Sequence, residues 1–398
     1  MRVLAGAGMQ IEWTGPRAVR NLAESIGRAE DVRFSPNNRR LAVAGFFRHR
    51  IAVFDIDITA SATRTHVQLT RGVEISSPAL NLPHGVDFLD DETLAVANRG
   101  RGVAVFKVPA GSAEAPSYDA APVQTLPAAP AGLLSVPGSV AVVGGDEGLA
   151  EVLICNNAGC DITRHRWDGG AGAFVGSGEV LLGKWFDSPD GVGISHDRRW
   201  LAVSDHGSHS VLLHAYGPSL RDDASPDGML RGVYYPHGVR FSRDDRYVFV
   251  ADAGSPYVHL YAQEGDGWRG VRHPIAHVRI MDDPLFLRGH AHPQEGGPKG
   301  IDIDAGQHVL AVASEHRPLA FFDLPGILHQ LEVDADEPSR QEHRAVELGY
   351  ELHVLERRAE LHGKIRRLFA LLGYMNHSKS WRITAPLRRL HSALRGSR

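Results

Sequence analysis

Short runs of alternating apolar and polar residues dominate the chain from residue 28 to residue 325. Glycine, proline, asparagine or aspartate stands at the ends of most runs, a pattern typical of short β-strands joined by tight turns. Six segments repeat one plan: a turn, a strand, a polar turn, a second strand, another turn and a third strand. Their first strands read AEDVRF, PHGVDF, PGSVAV, PDGVGI, PHGVRF and PKGIDI.

This repeat predicts an all-β chain folded as a six-bladed β-propeller. Positions aligned just after the first turn are separated by 54, 54, 52, 47 and 62 residues, which suits four-stranded blades. Radial packing buries the faces of the units and leaves only short strand edges. The sixth segment lacks an outer strand, and we expect the N-terminal RVLAGAG to supply it. A seventh, degenerate blade and a two-sheet sandwich are the alternatives.

The segments resemble the NHL and gluconolactonase-like group of six-bladed propellers. The resemblance lies in P-H-G-V or P-D-G-V followed about ten residues later by L-A-V-A and Asp or Asn, and it covers roughly residues 28 to 325. This group includes lactonases, lyases and binding proteins. The resemblance therefore implies the fold and leaves the chemistry open.

The aligned positions predict a binding site at one end of the central channel. The first strand of each propeller blade lines that channel, so the residues just before it should form a ring. Histidine and lysine are not favoured turn residues, and polar groups that converge on a concave mouth are typical of a ligand site. The ring consists of Glu30, His84, Gly138, Asp190, His237 and Lys299.

A second aligned column ends the second strand of each segment. Asn and Asp here also have a structural explanation, because both residues stabilise tight turns. The insertion DDPLFLRGHAHPQEGGPKG precedes the sixth segment, and we expect it to fold over the same mouth. The second column is Gly45, Asn98, Asn156, Asp205, Asp252 and Ser314. The candidate ligand-binding residues are Glu30, Asn98, Asn156, Asp190, Asp205, Asp252, His290 and His292.

The ring offers two kinds of chemistry. Imidazole and carboxylate groups suit zinc, iron or manganese, so one divalent ion is a candidate cofactor, with Glu30, His84, Asp190 and His237 as its ligands. Alternatively, a histidine beside a carboxylate is a natural acid or base near neutral pH, and Lys299 would stabilise an oxyanion. On this hypothesis His84, His237 and Lys299 are catalytic. The structural alternative is that the histidines are only hydrogen-bonded within the fold.

The gluconolactonase resemblance carries an expectation of its own. It implies a divalent ion bound by a Glu of the first blade and by Asn or Asp of later blades. Glu30 and Asp190 match that pattern, whereas His84, His237 and Lys299 depart from it.

Composition narrows the class of protein. With 398 residues, 43% hydrophobic and 23% charged, the chain is typical of a soluble globular protein. No stretch approaches the roughly 20 apolar residues of a membrane span, and the first apolar run is short for a secretory signal, so we expect a cytoplasmic protein. Cys155 and Cys160 flank a turn across which they could oxidise, but the base rates favour two reduced thiols.

The C-terminal part follows a different pattern. After the acidic EVDADEPS, leucines recur at helical spacing, which predicts a helix over about 338–372. From Glu360 to Arg398, nine Lys or Arg face one acidic residue, a net of +8 against -4 for the whole chain. We therefore divide the chain into a propeller over 1–332, an acidic linker with an amphipathic helix over 333–373, and a basic tail over 374–398.

The basic tail suggests a membrane setting. Trp381 among lysines and arginines suits an anionic bilayer surface, whereas a solvated helix end is the alternative. The acidic body argues against nucleic acid as a partner. The string S-x-S-W-R-I-T-A-P-L-R resembles tails that follow coiled coils in bacterial glycosyltransferases and methyltransferases of surface-polysaccharide assembly. That resemblance implies work at the cytoplasmic face of the inner membrane, as a peripheral protein.

Three functions are consistent with these patterns. The leading hypothesis is a propeller that binds a carbohydrate or glycan precursor at its mouth during surface-polysaccharide biosynthesis. The second is a metal-dependent enzyme of lactonase or lyase type that uses the same ring, and the third is a protein–protein scaffold. Nucleotide-dependent chemistry is not expected, because no P-loop or dinucleotide fingerprint stands in a suitable strand–turn–helix context.

Overall fold

The computed structural model describes residues 2–4, 6–61, 64–128, 132–144, 148–265, 267–289 and 294–333. The chain divides into one unit over Met1–Pro338 and a second over Ser339–Arg398. The helix expected over 338–372 and the basic tail lie outside the described residues. Within the described ranges, no helix is long and apolar enough to cross a bilayer.

Six sheets form the blades of a β-propeller, each built on four antiparallel strands. From the channel outwards, blade one contains β4 (Ala29–Phe34), β5 (Arg40–Gly45), β6 (Arg50–Ala60) and β7 (Thr65–Ser76). Blade two contains β8 (Pro83–Asp90), β9 (Thr93–Asn98), β10 (Gly102–Lys107) and β12 (Gln124–Pro127). Blade three contains β13 (Pro137–Gly144), β14 (Leu149–Asn156), β15 (Asp161–Asp168) and β16 (Ala173–Leu182). Blade four contains β17 (Pro189–Ile194), β18 (Trp200–Asp205), β19 (Ser210–Ala215) and β20 (Gly228–Leu230). Blade five contains β21 (Pro236–Phe241), β22 (Tyr247–Asp252), β23 (Tyr257–Ala262) and β25 (Ala276–Arg279). Blade six contains β26 (Pro298–Ile303), β27 (Val309–Ser314), β28 (Ala320–Asp323) and, as its outer strand, β2 (Gln10–Ile11).

Four further strands add to the rim, each in parallel pairing. β1 (Arg2–Leu4) extends blade five, β24 (Gly270–Arg272) extends blade four, and both β3 (Trp13–Thr14) and β11 (Ser117–Asp119) pair with β7 of blade one. The helices are α1 (Arg17–Ser25), α2 (Asp283–Gly289) and α3 (Leu324–Val333), with a 3-10 turn at Gly6–Met9. The six-bladed fold predicted from the repeat is confirmed.

The hydrophobic core lies between neighbouring blades. The middle strands are buried on both faces, so successive residues of β5 serve two different clusters. Val43 packs with β4 and blade six, whereas Ala42 and Ala44 pack against Val86 and other residues of blade two. Two-sided burial explains why these strands read as L-A-V-A rather than as apolar–polar alternation.

The N-terminal segment closes the ring, but by other residues than RVLAGAG. The outer strand of blade six is Gln10–Ile11, which pairs with β28, whereas Arg2–Leu4 pairs with blade five. Side-chain burial accounts for the difference. Leu4 is 1% exposed and packs between blades five and six, and Ile11 is 8% exposed and packs between blades six and one.

The glycine of the P-x-G-V repeat has a steric reason. The ladder between the first and second strands is irregular at the start of each inner strand, for example between Pro189 and Val192. The inner strands also approach one another closely there. A Cβ on Gly191 would lie 2.0 Å from the carbonyl oxygen of His237, and one on Gly300 would lie 2.4 Å from the Cα of Asp31. Only glycine fits such a contact.

Candidate functional site at the upper mouth

Five ring residues meet at one end of the channel, which we call the upper mouth. Glu30 Oε2 lies 3.5 Å from His84 Nε2 and 3.5 Å from Lys299 Nζ. Asp190 lies between the two histidines, with Oδ2 3.0 Å from His237 Nδ1 and Oδ1 3.8 Å from His84 Nε2. All five side chains are buried, none more than 4% exposed. Gly138, the sixth member, contributes its carbonyl instead of a side chain.

Hydrogen bonds define the protonated nitrogen of each ring histidine. His84 Nδ1 lies 2.7 Å from the Gly138 carbonyl, which can only accept, so Nδ1 carries the proton and Nε2 the lone pair. His237 Nδ1 faces the Asp190 carboxylate, so its Nε2 also carries a lone pair. Burial, with the nearby Arg99 cation, lowers the pKa of His84 to about 3. Burial, with Lys299, holds the pKa of His237 well below its usual value. Both imidazoles are therefore neutral at pH 7.

Lys299 is a buried ion-pair partner of the ring. Its ammonium lies 2.6 Å from Glu295 Oε2, and the residue is 0% exposed. Arg28 completes the cluster, since it bonds Glu30 and lies 2.7 Å from Glu295 Oε2. Burial alone would raise the pKa of Glu30, but Lys299 and Arg28 outweigh it and lower that pKa. Glu30 is therefore a carboxylate held in place by two cations.

The second column faces the turns rather than the mouth. Asn98 and Asn156 accept backbone N–H groups from Asn81 and Ser135, in the loop before the inner strand of their own blade. Asp205 does the same for Ser188, and Asp252 for Tyr235. These bonds match the structural explanation for the column. The ligand-binding role of these four residues stays a prediction.

Residues one position later reach the mouth, and the sequence analysis missed them. These residues begin the turn after the second strand, where the side chain points to the channel and not to the loop that the last strand residue contacts. Arg99 Nη2 donates to Asp190 and lies 2.9 Å from His84 Nε2. His206 Nε2 lies 3.6 Å from Asp190 Oδ2. The full shifted column is Phe46, Arg99, Asn157, His206, Ala253 and Glu315. Applying the repeat alignment to this column would have found them.

Aromatic rings line two sides of the mouth. Tyr235 stacks on His206 with ring centroids 3.8 Å apart. Burial, reinforced by Asp190, raises the pKa of the Tyr235 phenol, so it stays protonated at neutral pH. In blade one, Arg28 lies over the rings of Phe46 and Phe47, and Phe47 is 55% exposed.

The insertion before blade six is described only in part. It begins with α2, and Glu295 near its end reaches Arg28 and Lys299 of the ring cluster. His290 and His292 lie outside the described residues. Contact between the end of this insertion and the ring agrees with its expected place at the mouth.

Two groups of side chains have a spacing suited to a metal ion. Glu30, His84 and His237 form one, and Asp190, His206 and His237 form the other; in each group the candidate ligand atoms lie within 4.8 Å of one another. Glu30 Oε2, His206 Nε2 and His237 Nε2 are buried and have no hydrogen-bond partner among the described residues. Buried polar atoms are normally hydrogen-bonded, so these three atoms, of which Glu30 Oε2 is in a 3.5 Å ion pair with Lys299, have capacity for a ligand.

Comparisons with known proteins give a likeness of backbone only. No family model matches the chain, and no curated protein sequence matches it. A protein of unknown function from Desulfotomaculum acetoxidans has a TM-score of 0.49 at 13% identity, over 75% of this chain and 83% of that one. A gluconolactonase from Xanthomonas campestris has a TM-score of 0.46 at 14% identity, over 76% of this chain and 88% of that one.

Proposed function

We propose that this chain is a metal-dependent enzyme of lactonase or lyase type, whose divalent ion is held by Glu30, His84 and His237. The observation that carries the proposal is the convergence of three buried ligand atoms at the upper mouth. Glu30 Oε2 and His237 Nε2 have no hydrogen-bond partner among the described residues. An ion would satisfy both atoms.

The donor atoms suit a transition metal. His237 presents an Nε2 lone pair without a hydrogen-bond donor among the described residues, whereas the Nε2 lone pair of His84 accepts from Arg99 Nη2 at 2.9 Å, so an ion would replace that donor. Asp190 and the Gly138 carbonyl orient the opposite ring nitrogens. Metal-bound histidines usually have such partners. Glu30 Oε2 and His84 Nε2 are 3.5 Å apart. Two ligands each about 2.0–2.1 Å from a tetrahedral zinc ion are separated by about 3.3 Å, so these two atoms need to move little, while the Arg99 guanidinium has to move off His84 Nε2.

Charge balance also favours an ion. The cluster contains four carboxylates, of Glu30, Asp190, Glu295 and Glu315, and three cations, of Arg28, Arg99 and Lys299. With neutral histidines its net charge is -1. A cation bound beside the Glu30 carboxylate would offset this negative charge.

The chain's own residues then divide the remaining work. Bound at this site, a divalent ion polarises a carbonyl or lowers the pKa of a water molecule. Lys299 and Arg28 fix the position of the Glu30 carboxylate. Arg99 hydrogen-bonds within the described residues through Nη2 only, and its side chain is 19% exposed, so its other N–H groups are available to an anionic substrate group. The Tyr235 phenol is a neutral donor at the same mouth.

Metal analysis tests the proposal directly. The purified full-length protein, dialysed against zinc or manganese and then freed of unbound ion, should retain about one ion per chain. Glu30→Gln, His84→Ala and His237→Ala should each abolish this stoichiometry and any hydrolysis of a lactone panel. His273→Ala, a change at an exposed histidine away from the ring, is the matched control. Equal metal content in the ring variants and the control would refute the site.

Carbohydrate binding is the second candidate, supported by the exposed Phe47 ring at the rim. A pocket that combines aromatic surface with a few polar groups is typical of small-ligand sites. In this case glycan fragments should bind to the metal-free protein without turnover, and Phe47→Ala should weaken that binding more than Val3→Ala, an exposed residue elsewhere. Binding that is unaffected by Phe47→Ala would contradict it.

A further inference from the structure

Blade five contains a pair of buried histidines away from the ring. His259 and His277 stand directly opposite each other on β23 and β25, on the face of the blade that packs against blade four. They are 1% and 4% exposed. Their Nδ1 atoms lie 2.5 Å apart, and His259 Nε2 lies 2.9 Å from Asp252 Oδ2. We call Asp252, His259 and His277 the blade-five cluster.

The repeat shows that the imidazole of His259 is an exception. It is paired with Val250, the residue two positions before the end of the second strand. The residues paired in the same way in the other blades are Ala52, Ala104, Thr163, Leu212 and Ala320. Blade packing therefore does not require a histidine at this position, and its presence needs a reason particular to blade five.

Hydrogen bonds link the members of the cluster in a row. A carboxylate accepts hydrogen bonds, so His259 Nε2 donates to Asp252. Only one proton fits between the two Nδ1 atoms, so one ring donates it and the other accepts it. His277 thus fixes the ring of His259, and the ring of His259 fixes the carboxylate of Asp252.

The Asp252 carboxylate organises two turns of blade five. Its five hydrogen-bond donors are the N–H groups of Tyr234, Tyr235 and Gly254, the hydroxyl of Ser255, and His259 Nε2. The equivalent carboxylate of blade four is Asp205, whose partners among the described residues are the backbone N–H groups of Asp187 and Ser188. The imidazole therefore gives Asp252 a support that Asp205 does not have.

The first of these turns carries a residue of the upper mouth. The Tyr235 ring stacks on His206 with ring centroids 3.8 Å apart. Its backbone N–H donates to Asp252 Oδ1 at 2.7 Å. A shift of the carboxylate would therefore move the Tyr235 phenol relative to the ring.

The second turn supports the end of the insertion before blade six. The Gly297 N–H donates to the Ala253 carbonyl at 2.8 Å. A Cβ on Gly297 would lie 2.0 Å from the Ser255 carbonyl oxygen, so the two segments are in close contact. Glu295, two residues earlier, lies 2.6 Å from the Lys299 ammonium. Asp252 is thus connected to the mouth on a second path.

We propose that His259 and His277 are positioning residues of the upper mouth. Through Asp252 they fix the backbone at Tyr235 and the turn on which the insertion rests. Hydrogen bonds to a charged group are stronger than neutral ones, which suits a carboxylate that must stay in one place. This inference rests on the proposed function, because it assigns the blade-five cluster a part in the same site.

Amide hydrogen exchange of the full-length protein, measured by mass spectrometry, tests the proposal without a substrate. His259→Leu introduces the residue that blade four has at the equivalent position. The N–H groups of Tyr234 and Tyr235 should then exchange about tenfold faster, the factor expected when their acceptor loses one charge-assisted hydrogen bond. Amides in the strands of blade five should exchange as in the wild type. His259→Gln keeps an N–H donor at a similar distance along the side chain and should restore most of the protection.

His214→Leu is the matched control. His214 is a 0% exposed histidine on the third strand of blade four, and its ring nitrogens have no hydrogen-bond partner among the described residues. This variant should leave exchange at Tyr234 and Tyr235 unchanged. Should His259→Leu fail to fold, His277→Leu keeps the bond between His259 and Asp252 and should give a smaller increase at the same two amides.

Three results would overturn the positioning role. They are wild-type exchange at Tyr234 and Tyr235 in His259→Leu, an equal increase in all strands of blade five, and no slowing of exchange by His259→Gln relative to His259→Leu. Zinc content tests the proposed function separately, and His259→Leu should still retain about one ion per chain. A wild-type protein that retains no zinc would refute the metal site and leave the exchange result standing. Retained zinc with unchanged exchange would refute only the positioning role.

Discussion

Ring closure by the N-terminal segment can be tested by truncating two buried side chains to alanine. Leu4 packs between blades five and six, and Ile11 packs between blades six and one. The double variant Leu4→Ala/Ile11→Ala removes apolar contacts on both sides of blade six and leaves the backbone pairing of β1 and β2 intact. It should weaken the packing of blade six against blades five and one, and so lower the free energy of unfolding.

The magnitude follows from burial. Truncation of a buried Leu or Ile to Ala costs about 2–5 kcal/mol, and the lower end applies here because a rim segment relaxes easily. The two residues belong to different clusters, so their effects should add to about 4 kcal/mol. Against a typical free energy of unfolding of about 5–15 kcal/mol, this is a large share. With a urea dependence of about 3 kcal/mol per M, the midpoint should fall by more than 1 M.

Urea denaturation followed by tryptophan fluorescence measures this change. Val3→Ala is the matched control, because Val3 lies on the same strand as Leu4 but is 38% exposed. The control should shift the free energy of unfolding by less than about 0.5 kcal/mol. A double variant as stable as the control would show that the N-terminal segment does not hold the ring closed.

Three further outcomes are expected. Trp268→Ala should lower the free energy of unfolding by about 3–5 kcal/mol, since the Trp268 side chain is 0% exposed and packs between blades four and five. Trp185→Ala should change the free energy of unfolding little, because Trp185 is 46% exposed. Similar losses in the two variants would contradict the packing of Trp268. Burial, then the Asp190 charge, raises the pKa of the Cys155 thiol, so a thiol reagent should modify only the more exposed Cys160 in the folded protein and both after denaturation. Deletion of residues 374–398 should weaken binding to anionic vesicles and leave the thermal midpoint unchanged; equal vesicle binding would refute the membrane role of the tail.

The sequence by itself determined the number of blades and the location of the ring. Both follow from the repeat, since equivalent segments must place their second residue at the same height in the channel. The sequence therefore predicts that Glu30, His84 and His237 lie in one ring, although they are far apart along the chain. Their convergence needed no property of the sequence beyond equivalent positions in equivalent blades.

Tertiary structure decided how those side chains are used. Sequence alone ranked Asn98 and Asp205 as site candidates, whereas their neighbours Arg99 and His206, the first residues of the turn that follows each strand, reach the mouth. The strand that completes blade six is Gln10–Ile11 and not the expected RVLAGAG. Burial of side chains between blades decides which N-terminal residues pair there, and the strand pattern of the sequence does not show it. The local sequence pattern specifies which residues lie at the same height in the channel. The direction of each side chain and its protonation state depend on neighbours from other blades, which no single segment of sequence contains.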